Sequence, residues 1–134
     1  MSGAPNAVLA LDLLPTPLAI VRLEPTAAIP DWTAGAVSLL SVTRTPAELS
    51  IVIDVAALPV ALHPGVAHVA LRVRGPLPLD LVGVFAVLAT PLAAARIPIF
   101  PLATFDTDYL LVREIDVENA ILALSAAGHR VFRL

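Results

Sequence analysis

Proline sets the tightest limit on what this chain can become. Thirteen prolines are spread through 134 residues. Each removes a backbone donor and fixes φ near about −65°, so a helix or central strand rarely passes through one unharmed. The result is an apolar chain cut into short segments, the pattern of brief strands joined by stiff turns. No segment makes a membrane span, which needs about 20 mostly apolar residues. Residues 81–95 lie between Asp80 and Arg96 and contain Gly83 and Pro91, and the uncharged run 55–71 is broken by Pro59, His63, Pro64, Gly65 and His68.

Between the breaks the periodicities are readable. Residues 8–14 and 18–23 read as two strands, with Pro15-Thr16-Pro17 as a turn between them. Residues 29–35 form a short helical turn at most, opened by Pro30-Asp31 and ended by Gly35. Residues 36–43 and 49–55 are rich in β-branched and aliphatic types and make a hairpin around 44–48. From 55 to 66 the pattern dissolves, placing a boundary between halves 1–62 and 63–134.

The second half opens with a strand over 68–74, whose alternate arginines, Arg72 and Arg74, put one face in solvent. After the loop 75–79, Asp80 is the expected N-cap of a helix over 81–96, buried on most sides and bent at Pro91. Residues 97–105 and 109–113 form a hairpin around Asp106-Thr107-Asp108. Asp116 is expected to cap a last helix to Ala127, with Ile121 and Leu124 inward; Gly128 ends it, and 130–134 is a closing strand. Strand–helix–strand–strand–helix–strand is the split βαβ, ferredoxin-like order. The first half reads as a degenerate copy. The fold class is therefore α+β: two ferredoxin-like (βαββαβ) halves, antiparallel sheets with helices on one face.

Composition narrows function more than it names it. Cysteine and lysine are absent from the sequence, which removes thiol and Schiff-base chemistry and disulfide scaffolds. The serines lack a nucleophile-elbow context, and no glycine-rich phosphate loop occurs. A net charge of −3 and six aromatic residues argue against nucleic acid. His63, His68 and His129 lack metal-ligand spacing and read as structural. Met1 to Ala7 carries no basic residue ahead of an apolar stretch, which with the absence of cysteine points to the cytoplasm. The expectation is a non-enzyme with no cofactor, no metal and no membrane association.

Two polar features remain. Asp106 and Asp108, two apart, would face one way in an extended segment and attract a cation; equally, a hairpin tip favours Asp and Thr for their local backbone bonds. A helix start at Leu81-Val82-Gly83 offers free amides to a carboxylate. Gly83 there admits either a ligand or a closely packed strand. An anion site beside an acidic tip is what a free amino acid requires.

Several stretches resemble the small bacterial ACT-domain proteins with tandem ACT halves, and are similar to the ACT units of the arginine sensor CASTOR. They are Ser41-Val42-Thr43-Arg44-Thr45-Pro46-Ala47-Glu48-Leu49-Ser50, Pro30-Asp31-Trp32, Gly75-Pro76-Leu77, Leu81-Val82-Gly83-Val84, Ile97-Pro98-Ile99-Phe100, and above all the run from Ala103 through Thr104, Phe105, Asp106, Thr107, Asp108 and Tyr109 to Val112. Ala103 and Phe105 stand where the family commonly carries Ser and Tyr. The resemblance implies an amino-acid-binding or sensing module whose ligand sits where two ACT sheets meet edge to edge. Carried over by motif, its site comprises Leu81, Val82 and Gly83 at the helix start. Thr104, Phe105, Asp106 and Asp108 come from the hairpin, and Ser41, Val42 and Thr43 from the other half's strand. The expected partner is a free amino acid, the aspartate pair pointing to a basic one, with a homodimer as a further expectation. The alternative is an assembly module whose ligand site is vestigial.

Overall fold

The first strand, β1 (Ala10–Leu23), runs unbroken for 14 residues in the computed structural model, which describes residues 8–134. The turn expected at Pro15-Thr16-Pro17 does not form. Pro15 and Pro17 fall between Leu13, the last residue paired with β7, and Leu18, the first paired with β3. In that gap neither ladder needs an N–H, so the prolines cost no pairing with these partners. The reading of Met1 to Ala7 as lacking a signal peptide lies outside the described residues.

The chain divides into two compact units, Thr16–His68 and a second made of Met1–Pro15 with Val69–Leu134. The unit 16–68 contains the later part of β1, β2 (Leu40–Arg44) and β3 (Leu49–Asp54), in the antiparallel order β2-β3-β1. A 3-10 turn over Asp31–Gly35 sits where Pro30 and Gly35 predict it. Ala19, Leu49, Ile51, Ile53 and Leu58 form its core, with Trp32 packed against them. The expected start of β2 at residue 36 moves to Leu40. The amides of Val37, Ser38 and Leu39 donate instead to the buried carboxylate of Asp54, at 2.9, 2.8 and 3.0 Å. Amides turned to a side chain are withdrawn from a ladder.

The other unit holds the early part of β1, β4 (His68–Val73), α1 (Val84–Ala94), β5 (Phe100–Ala103), β6 (Asp108–Arg113), α2 (Val117–Ala126) and β7 (Arg130–Arg133). Its sheet order is β7-β1-β4-β6-β5. The strand–helix–strand–strand–helix–strand order expected over 68–134 is present. The closing strand, however, pairs in parallel with β1 (Ala10↔Arg130 to Leu13↔Arg133), so the first part of β1 lies between β7 and β4.

Alternation divides this sheet. Leu11, Leu13, Val69, Leu71, Val73, Leu110 and Val112 pack with Val84, Leu88 and Leu92 of α1 and Ala120 and Leu124 of α2. Each fully buried leucine here contributes on the order of 1.5–3 kcal/mol. The opposite face carries Asp12, Arg72, Arg74, Tyr109 and Phe132, as period 2 requires.

Neither helix is capped by its expected aspartate, and α1 also begins later than expected. α1 starts at Val84, not 81, because Gly83 is its N-cap with φ +86°, a left-handed conformation outside any helix. Asp80 caps nothing, lying in the preceding turn. Nor is α1 buried on most sides: its buried residues are Val84, Leu88 and Leu92, a single i, i+4, i+8 stripe. Asp116 occupies the N-cap position of α2 but accepts from Arg113 Nε at 2.7 Å instead of capping an amide. Gly128 (φ +96°) follows α2 as expected. Pro91, inside α1, has no N–H for the carbonyl of Val87. His129 Nε2 lies 3.1 Å from that carbonyl, while its Nδ1 accepts from the Leu9 amide at 3.1 Å. These partners set the tautomer, with Nε2 carrying the proton.

Candidate functional site

The candidate site is assembled from the loop after β4, the start of α1 and the β5–β6 hairpin, all within the unit that contains β4–β7. The hairpin tip is locked from inside. Thr104 and Thr107 exchange backbone and hydroxyl bonds of 2.9–3.2 Å, and the buried Thr107 hydroxyl donates to Val73 O at 2.6 Å. The Leu77 amide then donates to Asp106 O at 2.6 Å, tying the loop to the tip. A side chain at Gly75 would crowd the backbone, since its Cβ would lie 3.0 Å from both Asp106 O and Leu77 N. Local bonding thus accounts for the threonines, as the hairpin-tip reading anticipates. It does not account for the aspartates, whose carboxylates take part in none of the ion pairs or side-chain hydrogen bonds among the described residues.

A hollow of about 160 Å3 lies between these pieces. Leu77, Leu79, Leu81 and Val84 line one side, and Ala103, Thr104, Phe105, Asp106 and Asp108 the other. Of the expected ligand residues, Leu81, Thr104, Phe105, Asp106 and Asp108 are therefore brought together. Val82 and Gly83 adjoin the hollow in sequence but are not among its lining residues, and Gly83 acts through its left-handed turn. Ser41, Val42 and Thr43 lie on β2, the outermost strand of the 16–68 sheet, paired with Val52, Ile51 and Ser50.

A second hollow, about 430 Å3, opens on the helix-free side of the same hairpin. Its charged lining is Asp12, Arg72, Arg74 and Asp106, joined by Tyr109. Asp12 is buried, and Arg72 Nη2 reaches its Oδ2 at 3.1 Å while Arg74 Nε and Nη2 reach Oδ1 at 2.9 and 2.8 Å. The Arg74 bond chiefly holds the Asp12 carboxyl below its usual range, burial opposes it, and Arg72 adds to the lowering. Arg72 is pushed up in turn, mainly by Asp12, with a smaller contribution from the neighbouring Tyr109 phenol. Arg74 also lies over the Phe132 ring, 3.9 Å from its centroid.

The expectation that Arg72 and Arg74 merely face solvent is thus corrected: they cover a buried acid. The available signal was Asp12 itself, one charge inside the apolar run Leu9-Ala10-Leu11-Asp12-Leu13-Leu14. Among the described residues no group of three His, Cys, Asp or Glu is placed to hold a metal ion, and no helix is long and apolar enough to cross a membrane.

Residues 67–126 match the ACT domain family model, and residues 17–59 match a second model described as an N-terminal domain. The chain is similar to the crystal structure of protein Atu0741 from Agobacterium tumefaciens, with 32% identity and a TM-score of 0.85, over 96% of this chain and 95% of that one. It is also similar to VC0802 from Vibrio cholerae, described as a protein of unknown function and possible transport protein. There the identity is 20% and the TM-score 0.75, over 90% and 91% of the two chains. The allosteric aspartate kinase of Clostridium acetobutylicum shares the fold, with 15% identity and a TM-score of 0.58, over 84% of this chain and 33% of the kinase. No curated protein matches the chain.

Proposed function

The chain belongs to one family with Atu0741 and carries an ACT domain at residues 67–126, and from that premise we propose that it is a non-catalytic sensor of a free amino acid. A small-ligand regulatory role follows from the ACT domain and its occurrence in an allosteric kinase fold; the amino acid is our own reading. One observation carries it: the 160 Å3 hollow sets Leu81, in the loop before α1, and Val84, the first residue of α1, opposite Asp106 and Asp108. Uncapped amides at a helix start suit a carboxylate, and the two acids suit an ammonium or a basic side chain. A basic amino acid is the ligand we favour, and the cytoplasm the compartment.

Thermal shift against the twenty amino acids tests it. A ligand at 100 times its Kd adds about 2.7 kcal/mol of stability. Asp108→Asn should weaken binding by about tenfold or more with the unliganded Tm unchanged. No stabilisation by any amino acid at millimolar concentration ends the reading.

Assembly is the second reading, favoured by the apolar side chains standing free around the hollow: Leu79 and Val82 are each 71% exposed and Phe105 78%. On that account a homodimer or a protein partner covers them. Phe105→Glu would then lower the molecular mass seen by light scattering, and a chain monomeric at all concentrations would reject the homodimer.

A further inference from the structure

We propose that the hollow over Arg72 and Arg74 is a second ligand site, taking an α-amino acid as a zwitterion. The proposal shares a ligand class and Asp106 with the preceding reading, but its carboxylate anchors, Arg72 and Arg74, line only this hollow, so the two readings fail separately.

The argument begins with what Asp12 leaves over. Each guanidinium has five N–H donors. Arg72 meets Asp12 through Nη2 alone and Arg74 through Nε and Nη2. Donors on both therefore remain for a third group. They are held in place, because Asp12 fixes both heads and the Phe132 ring backs Arg74. Two cations share one buried anion, so this end of the hollow carries a surplus positive charge. A carboxylate meets that surplus with parallel charge-assisted bonds, and the Tyr109 phenol is a further donor beside it.

The other charged residue in the lining is Asp106, which has no ionic partner among the described residues. Counting it, the charged side chains sum to zero: Arg72 and Arg74 against Asp12 and Asp106. A plain anion would be repelled by Asp106 and a plain amine by the arginines. A zwitterion satisfies both poles and leaves the total neutral. The threonines add no competing polarity, since Thr104 and Thr107 are bonded to each other and to Val73.

Amide NMR titration of the full chain with each of the twenty amino acids tests this, because the two hollows have separate reporters. Leu81 and Val84 line the smaller hollow and not the larger, and Gly75 and Tyr109 line the larger and not the smaller. We expect saturable shifts at Gly75 and Tyr109 with at least one amino acid, and none with its decarboxylated amine or its deaminated acid. Arg72→Gln, which leaves both Arg74 contacts to Asp12, should weaken that binding by about tenfold or more. Tyr109→Phe should weaken it about threefold to tenfold. If Gly75 and Tyr109 stay still with every amino acid, the proposal is wrong, whatever Leu81 and Val84 do. Equal affinity in Arg72→Gln also overturns it. Should that variant fail to fold, the Nε–H resonance of Arg72 in the unaltered chain decides the matter: it must follow the same saturation curve, and a stationary signal rejects the site.

Discussion

Asp12, near the start of β1, and Asp54, the last residue of β3, are each the single acid of an apolar strand, and each is buried. The fold answers them in opposite ways. Asp54 turns to the main chain and accepts from three consecutive amides, of Val37, Ser38 and Leu39. Asp12 turns to side chains and is held by Arg72 and Arg74, whose own side chains are 37% and 46% exposed. An acid answered by backbone shapes a loop and has nothing left to offer. One answered by half-exposed guanidiniums leaves donors at an open hollow. The first arrangement is architecture, and the second is architecture that also presents a charged surface to solvent.

The largest effect expected from this contrast is at Asp54. Asp54→Ala strips the 37–39 loop of three hydrogen bonds to a charged acceptor, and water at these partly exposed residues restores some of them. We expect a loss of about 3 kcal/mol in urea unfolding; a loss under 1 kcal/mol would mean the loop holds itself. Burial alone would raise the Asp54 carboxyl, but the amides of Ser38, Leu39 and Val37 outweigh it and leave it below the ordinary 3.8. A depressed folded-state value stabilises the fold above the unfolded-state value, and that contribution is lost as pH falls through the folded one. The gap between wild type and Asp54→Ala should therefore be constant from pH 7 to about 5 and close below about pH 4.

His129 extends the backbone-answered class to the other unit, and its removal is the next effect in size. Its ring joins the Leu9 amide to the Val87 carbonyl that Pro91 leaves without a helical donor. His129→Ala should cost about 2 kcal/mol, since two partly buried backbone groups lose their bonds to the ring. Pro91→Ala restores the missing N–H, so in that background the His129→Ala cost should fall by about 1 kcal/mol. A coupling of zero in this double-mutant cycle would show that the Val87 carbonyl finds its partner elsewhere.

Most of the architecture was legible because hydrophobic periodicity is a local property. The hairpins, both helices of the second half and the closing strand all follow from it. What failed were features that depend on partners distant in sequence. Pro15 and Pro17 signalled a turn by their own chemistry, and only the gap between the β7 and β3 ladders makes them harmless in a strand. Asp80 and Asp116 are good capping residues by type, yet a left-handed Gly83 and a nearby Arg113 decide otherwise. The acidic hairpin tip was visible because Asp106 and Asp108 are only two apart in sequence. The arginine hollow was not, because Asp12 is 60 residues from Arg72.

Salt provides the smallest effect and the sharpest division between the two acids. Asp12→Asn orphans two guanidiniums, but both reach water, so the cost should be nearer about 1 kcal/mol than the several typical of a fully buried pair. The Debye length falls from about 10 Å at 0.1 M to about 3 Å at 1 M, and the Arg74 and Arg72 contacts are open enough to feel it. The Asp12→Asn penalty should shrink by about half over that range. The Asp54→Ala penalty rests on hydrogen bonds to neutral amides and should hold nearly constant. Equal salt dependence in the two variants would erase the distinction between an acid that serves the backbone and one that serves an open cationic surface. The arginine hollow would then be as closed to solvent ions as the loop at Asp54.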